Sequence, residues 1–171
     1  MATKKKVLPV GNSRSNGAFI LWLGIAAIIV LLDQVTKITI TRLFSYAETL
    51  SVTSFFNLTL VYNKGAAFSM LATESGWQRY FFTALGLGAS AYISWLLFKN
   101  SSQKMFCAAL SLIMGGAIGN VIDRVLYGHV IDFLDFHYQE IYHFPAFNLA
   151  DSAICLGAAL FILDELRRVN K

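Results

Sequence analysis

The feature that most restricts this chain is the length of its apolar blocks. They lie at about residues 19–43, 78–98, 105–122 and 144–165. A transmembrane helix needs about 20 mostly apolar residues, within a range of about 17–25. Each block fits that length, the first on condition that Asp33 and Lys37 lie near a membrane surface. With 56% hydrophobic and 14% charged residues, the chain is too apolar for an ordinary soluble domain of its size. A single integral membrane domain is expected, with four transmembrane helices. Residues 1–17 would form a disordered cytoplasmic tail, and residues of about 44–77 and 123–143 the two outer segments.

Charge sets the orientation. The N-terminal tail holds Lys4, Lys5, Lys6 and Arg14, the loop between blocks two and three Lys99 and Lys104, and the C-terminus Arg167, Arg168 and Lys171. These segments share one side of a four-span protein, and the positive-inside rule makes that side cytoplasmic. Both termini are then cytoplasmic. The net charge of +4 follows from this bias and gives no argument for a nucleic-acid partner. The basic start resembles a signal peptide, but no A-x-A-like cleavage site follows it, so an uncleaved first span is expected. Cys107 and Cys155 lie inside apolar blocks and define neither a disulfide framework nor a metal motif.

The first outer segment contains "LSVTSFFNLTLVYNKGAAFSML", rich in β-branched and aromatic residues, with a turn signal at Asn63-Lys64-Gly65. Two or more short strands are expected between about Leu50 and Met70. A sheet edge cannot face lipid tails, so this small β-rich cradle should rest on the outer side of the helices. Phe55, Phe56, Phe68 and Trp77 suit the membrane interface. The second outer segment carries four acids and all three histidines, with His129, Tyr138, Tyr142 and His143 suited to the interface.

The acids are placed unevenly. Apart from Asp164 and Glu165, all of them (Asp33, Glu48, Glu74, Asp123, Asp132, Asp135, Glu140 and Asp151) fall on the outer side or at outer span ends. A charge at the centre of a spanning helix costs at least ~2.5 kcal/mol, and less near its end. Asp33 and Lys37 share a face of the first span, as do Asn120, Asp123 and Arg124 at the outer end of the third. Gly115, Gly116 and Gly119 just before them permit a close helix crossing. Asn148 and Asp151 share a face near the outer mouth of the fourth. An ion pair or a packed interface explains each group singly; together they describe a polar pocket at one level, roofed by the sheet.

Two carboxylates that share one proton can activate water for attack on a peptide carbonyl, one as base and the other as acid. Asp151 is the natural first member because its position is otherwise costly. Asp132, Asp135 and Asp123 are candidates for the second. Asp132 is flanked by Ile131 and Phe133, which favours a dry site, yet spacing alone leaves Asp132 and Asp135 open.

The motifs "DQVTK" (33–37), "YNKGAAFS" (62–69), "GGAIGNVIDR" (115–124), "GHVIDF" (128–133) and "PAFNLADSAI" (145–154) occur in one order. In this the chain resembles the bacterial lipoprotein signal peptidase family, signal peptidase II, over residues 19 to about 166. The resemblance implies an aspartic endopeptidase of the bacterial inner membrane, its active site on the periplasmic side and its catalytic pair at Asp132 and Asp151. It implies supporting roles for Asp33, Lys37, Asn63, Asn120, Arg124 and Asn148. Its substrates would be diacylglyceryl-modified prolipoproteins, cut just before the lipid-bearing cysteine. No metal or cofactor is expected, and the protein would work as a monomer among membrane lipid. A transporter fits less well, because its acids tend toward the midplane between repeats. A zinc site built from His129, Asp132, His137 and His143 lacks ligand spacing such as H-E-x-x-H. A purely structural protein leaves the acids at three span ends unexplained.

Overall fold

The structure, a computed structural model, describes residues 13–65, 76–139 and 141–169, with the side chains of residues 13–15 left aside. The end of the expected strand region (66–70, with Phe68), Glu74 and Glu140 lie outside the described residues. Helix α1 spans Ser13–Leu43. Strands β1 (Thr49–Thr53) and β2 (Phe56–Asn63) follow, then helices α2 (Trp77–Asn100) and α3 (Lys104–Leu126). Strands β3 (Val130–Tyr138) and β4 (Tyr142–His143) precede helix α4 (Leu149–Val169).

Three helices, α1 over Asn16–Leu43, α2 and α3, are long and apolar enough to cross a membrane. At 1.5 Å per residue, the 31 residues of α1 reach about 46 Å, well beyond a hydrocarbon core of about 30 Å. Its first turn therefore extends into the expected tail: Ser13–Gly17 are helical, while residues 1–12 lie outside the described residues. Ile20, Leu21, Ile28, Leu31, Leu32 and Val35 of α1 are exposed on the isolated chain, as a lipid-facing surface requires. Helix α4 does not meet the same span criterion. Its apolar run ends at Leu163, before Asp164, Glu165, Arg167 and Arg168, and begins only at Leu149. Residues 144–148, expected inside the fourth span, are not helical. Pro145 lacks an N–H and biases the preceding residue toward an extended conformation. The chain there pairs with β3 instead: Phe147 N–H donates to the Leu134 carbonyl at 3.1 Å, and the Phe147 carbonyl accepts from Leu134 N–H at 2.8 Å.

Helix α3 is the centre of the bundle and packs against α1, α2 and α4. Its close contacts with α4 and α1 depend on two glycines. A Cβ at Gly116 would lie 2.3 Å from the Ala150 carbonyl oxygen, and one at Gly119 would lie 2.5 Å from Asp33 Oδ2. The close crossing expected from these glycines is formed.

The sheet is antiparallel in the order β1-β2-β3-β4. The expected strands are β1 and β2, and the turn signal at Asn63-Lys64-Gly65 closes β2. The central strand β3 comes from the second outer segment. Alternation puts Ile131, Phe133, Asp135 and His137 on one face, all buried, and Val130, Asp132 and Leu134 on the other. Of the aromatic residues expected at the interface, Phe55 and Trp77 are exposed, whereas Phe56 is half-buried against Phe136, ring centres 4.9 Å apart. Tyr138 and Tyr142 are exposed. His129 lies against Tyr62 with the rings tilted, their centres 4.2 Å apart.

Two apolar clusters stand apart. Trp22, Ala26, Ile93, Leu97, Phe106, Cys107, Leu110 and Met114 fill the bundle, and Ile40, Leu60, Ile131 and Phe133 lie where the sheet meets α1. Along α1 the polar pair Asp33 and Lys37 falls between Ala26 and Ile40, so a polar layer separates the two clusters. Gly116→Ala is expected to lower the melting temperature in detergent micelles, with a destabilisation of about 1–3 kcal/mol from overpacking against backbone. Gly88→Ala, whose Cβ meets nothing within 4 Å, should leave it unchanged or slightly raised. Equal melting temperatures for the two variants would contradict the close α3–α4 contact.

Candidate functional site

The polar layer is organised by the start of α4. Asn148 precedes the first helical residue, and its Oδ1 accepts the Asp151 N–H at 2.9 Å. In return Asp151 Oδ2 accepts the Asn148 N–H at 3.3 Å. This is a reciprocal capping box, with a carboxylate at the third helical position. It explains a carboxylate near an apolar helix: the first turn offers unpaired N–H groups, and an anion there is favoured by the helix dipole. A second N–H of this turn, that of Ala150, donates to Asp33 Oδ1 of α1 at 2.9 Å.

Asn148 is fully buried. Its Oδ1 faces a donor, so its Nδ2 must face acceptors. It donates to Asp132 Oδ1 at 2.7 Å, to Asn120 Oδ1 at 3.2 Å and to the Ile131 carbonyl at 3.3 Å. Asn63 repeats this polarity at the end of β2. Its Oδ1 accepts the Gly65 N–H at 2.9 Å, and its Nδ2 donates to Asp132 Oδ2 at 3.1 Å. Both oxygens of Asp132 therefore receive amide N–H groups. Asp151 Oδ1 receives Asn120 Nδ2 at 2.8 Å. Asp132 and Asp151 are joined through Asn148 and line one cavity of about 330 Å³ together with Asn63, Asn120, Arg124, Val130, residues 144–147, Ser152 and Cys155.

Behind the cavity lies a buried ionic cluster. Lys37 Nζ meets Asp33 Oδ2 at 2.9 Å, Asp123 Oδ2 at 2.8 Å and Asn120 Oδ1 at 3.0 Å. Asp123 also accepts the Ile131 N–H at 3.1 Å and Gln34 Nε2 at 2.9 Å. Arg124 donates from Nη1 to the Asn120 carbonyl at 3.3 Å and from Nη2 to the Gly65 carbonyl at 3.1 Å. Its guanidinium lies over the Phe82 ring. Asp132 is 2% exposed, and burial, followed by the nearby Asp151 charge, pushes its carboxyl up to about 7.

All eight residues expected at the site thus meet in one network. Gln34 was missed, although it lies one turn before Lys37 on the same helical face. Asp123 was expected on the face it shares with Asn120 and Arg124 and as an alternative partner for Asp151; it is the second carboxylate of Lys37. Asp135 stands apart on the opposite face of β3, where it accepts Asn57 Nδ2 at 3.1 Å and meets His143 Nδ1 at 3.0 Å. Among the described residues no group of three or more His, Cys, Asp or Glu side chains is placed to hold a metal ion.

A helical membrane protein that turns two such carboxylates into one cavity is of the membrane aspartic peptidase class. Comparison with known proteins narrows that class. A family model described as signal peptidase (SPase) II matches residues 25–167. A lipoprotein signal peptidase of Janthinobacterium sp. (strain Marseille) is 70% identical over 157 residues, covering 92% of this chain and 94% of its own length. That of Ralstonia nicotianae is 61% identical over 150 residues, covering 88% and 86%. A solved bacterial membrane enzyme, determined by the in meso method, superposes with a TM-score of 0.77 at 35% identity, covering 90% of each chain. The chain belongs to the signal peptidase II family of membrane aspartic endopeptidases.

The raised Asp132 carboxyl has a consequence for stability. Between about pH 4 and 7 the folded chain holds a proton there that the unfolded chain has released, so stability falls as pH rises through this window. Asp132→Asn removes that dependence and adds a pH-independent cost, because its amide N–H meets another donor. The stability of Asp132→Asn relative to the unaltered protein is therefore expected to improve from pH 4 to pH 7.5, measured as the difference in melting temperature. A difference constant with pH would show that Asp132 titrates in its ordinary range.

Proposed function

We propose that Asp132 and Asp151 are the catalytic pair of a prolipoprotein signal peptidase that cuts just before the diacylglyceryl-modified cysteine. The observation that carries this reading is that Asn148 holds both carboxylates, Asp132 by its side-chain amide and Asp151 by its backbone N–H, in the lining of one largely apolar cavity. With one proton between them, the ionised carboxylate takes a proton from water as it attacks the scissile carbonyl. The protonated carboxyl then delivers its proton to the departing amine. Asn63, Asn120 and Asn148 hold the two carboxylates, while Arg124 offsets the remaining negative charge. Asp33 and Lys37 fix the start of α4 and the amide of Asn120.

The substrate is a lipid-anchored signal helix, so its scissile bond lies at the membrane boundary, and its diacylglyceryl group remains in lipid. A cavity between an apolar bundle and a sheet meets that bond without drawing the lipid out of the bilayer. The charge bias of the loops supports cytoplasmic termini and a periplasmic site in a bacterial inner membrane. One chain supplies all the groups named here, which supports action as a monomer.

Cleavage of a lipid-modified prolipoprotein by purified protein tests the reading. Asp132→Asn and Asp151→Asn should each reduce turnover at least about 1,000-fold, the scale of losing an essential acid or base, while melting cooperatively. Asp135→Asn should keep activity within about tenfold, because its carboxylate faces away from the cavity. Substantial cleavage by either variant of the pair overturns the assignment. In the unaltered protein, turnover should decline as pH rises above about 7 and Asp132 loses its proton; a rate that climbs steadily to pH 9 would contradict the shared-proton mechanism.

A further inference from the structure

Asn120 is the joint between the buried ionic cluster and the carboxylate pair, and its amide has two possible orientations. An amide carries an acceptor on one side and donors on the other, so one flip exchanges what each neighbour receives. Asn148 Nδ2 and Lys37 Nζ, both donors, converge on Asn120 Oδ1 at 3.2 and 3.0 Å. Lysine differs from the asparagine in one respect: its ammonium has donors only and can never accept. The three N–H groups of Lys37 are matched by three acceptors, Asp33 Oδ2, Asp123 Oδ2 and Asn120 Oδ1. Lys37 is 1% exposed and Asn120 is 6% exposed, so water offers little alternative partnership.

We propose that Lys37 is a positioning residue for catalysis: its ammonium fixes the direction of the Asn120 amide, which must then donate to Asp151 Oδ1. The inference rests on the reading that Asp132 and Asp151 form the catalytic pair, and it deepens that reading. A donor held on Asp151 Oδ1 stabilises negative charge on that oxygen, as the donors on the other three oxygens of the pair do on theirs. The groups that face the pair are Lys37 and Asp33 from α1, Asp123 and Arg124 from α3, and the two members themselves, Asp132 on β3 and Asp151 on α4. Of these, only Lys37 acts on Asp151 through an amide with a fixed sense.

The mechanism predicts a signature that loss of packing does not share. Lys37→Met keeps the length of the side chain and removes its donors. The Asn120 amide then keeps only the 3.2 Å contact from Asn148 on its Oδ1, its hold on Asp151 weakens, and the carboxylate pair becomes more basic. Turnover of a lipid-modified prolipoprotein should fall about 10- to 100-fold, the scale of one hydrogen bond to a charged group. KM should change less than threefold, and the acidic limb of the pH–rate profile should move to higher pH by about one unit.

Lys37→Met also strands Asp33 and Asp123, which threatens folding, so two further variants separate the roles. Lys37→Met/Asp123→Asn restores the charge balance. It is expected to recover the melting temperature while the turnover defect and the displaced limb persist. Recovery of turnover together with stability overturns the inference and leaves Lys37 a structural ion-pair member. Asn120→Ala keeps Lys37 paired with both carboxylates. It should show the same displaced limb, and adding Lys37→Met/Asp123→Asn to it should displace the limb no further. An unchanged limb in Asn120→Ala, or a full additional displacement in the combined variant, overturns the relay even if the Lys37 variants do not fold. Asp132→Asn and Asp151→Asn run beside them keep the two claims apart: loss of cleavage there with a normal limb in Asn120→Ala defeats only the relay, and cleavage by either aspartate variant defeats the pair itself.

Discussion

The structure depends on one buried ammonium. Lys37 Nζ satisfies Asp33 of its own helix, Asp123 of α3 and the amide of Asn120. The two carboxylates reach further: Asp33 accepts an N–H from the first turn of α4, and Asp123 accepts the N–H of Ile131 in β3. Four elements, α1, α3, β3 and α4, thus share a single charge cluster. Removing one partner from a buried ion pair typically costs about 3–5 kcal/mol, because the other charge is left without compensation. An apolar bundle gives no directional reason for α4 to start where it does, since lipid and core are alike to a leucine. The ionic cluster supplies that direction, and the capping box at Asn148 and Asp151 follows from it.

From that anchor the polar network carries a consistent sense. Donor-only groups stand at its outer ends: the Lys37 ammonium, the Asp151 N–H and the Gly65 N–H. Each meets the oxygen of an asparagine side chain, so each asparagine turns its Nδ2 inward. Asp132 receives two of these groups and Asp151 one. Hydrogen bonds to a carboxylate favour its charged form, whereas burial and the neighbouring Asp151 charge oppose it. At Asp132 the opposing influences win, and the carboxyl lies near 7.

Much of this arrangement can be read from the chain. Apolar block length gives the helices, and β-branched residues with the Asn63-Lys64-Gly65 turn give β1 and β2. The spacing of Asp33 with Lys37, of Asn120 with Arg124, and of Asn148 with Asp151 places each pair on one helical face, which is why they can meet. What the spacing could not settle was the face of the second outer segment. "VIDFLDFHY" alternates as a strand, and the odd separation of Asp132 and Asp135 puts them on opposite faces. The choice between those faces belongs to tertiary packing: Ile131 and Phe133 turn toward Ile40 and Leu60, which sends Asp132 to the cavity side. The start of α4 was misplaced for a related reason. Hydropathy counts Phe144, Ala146 and Phe147 as span residues, whereas backbone pairing with β3 uses them as an extended strap.

The charges around the cavity constrain its resting state. Among the described residues, the full cations that act on Asp33, Asp123, Asp132 and Asp151 are Lys37 and Arg124. The α4 N-terminus adds a partial positive charge beside Asp33 and Asp151, and the Ile131 N–H adds a dipole beside Asp123. Lys37 together with these dipoles accommodates the rear pair, Asp33 and Asp123. Among the described residues Arg124 is then the full cation left to balance Asp132 and Asp151, within whose electrostatic reach it lies. One cation balances one negative charge, so the cavity is near neutral when the pair holds a single proton. A doubly ionised pair would add an uncompensated charge at low dielectric, and a doubly protonated pair would leave Arg124 unmatched. The singly protonated state that the proposed mechanism needs is therefore the state that the surrounding charges already favour before any substrate enters.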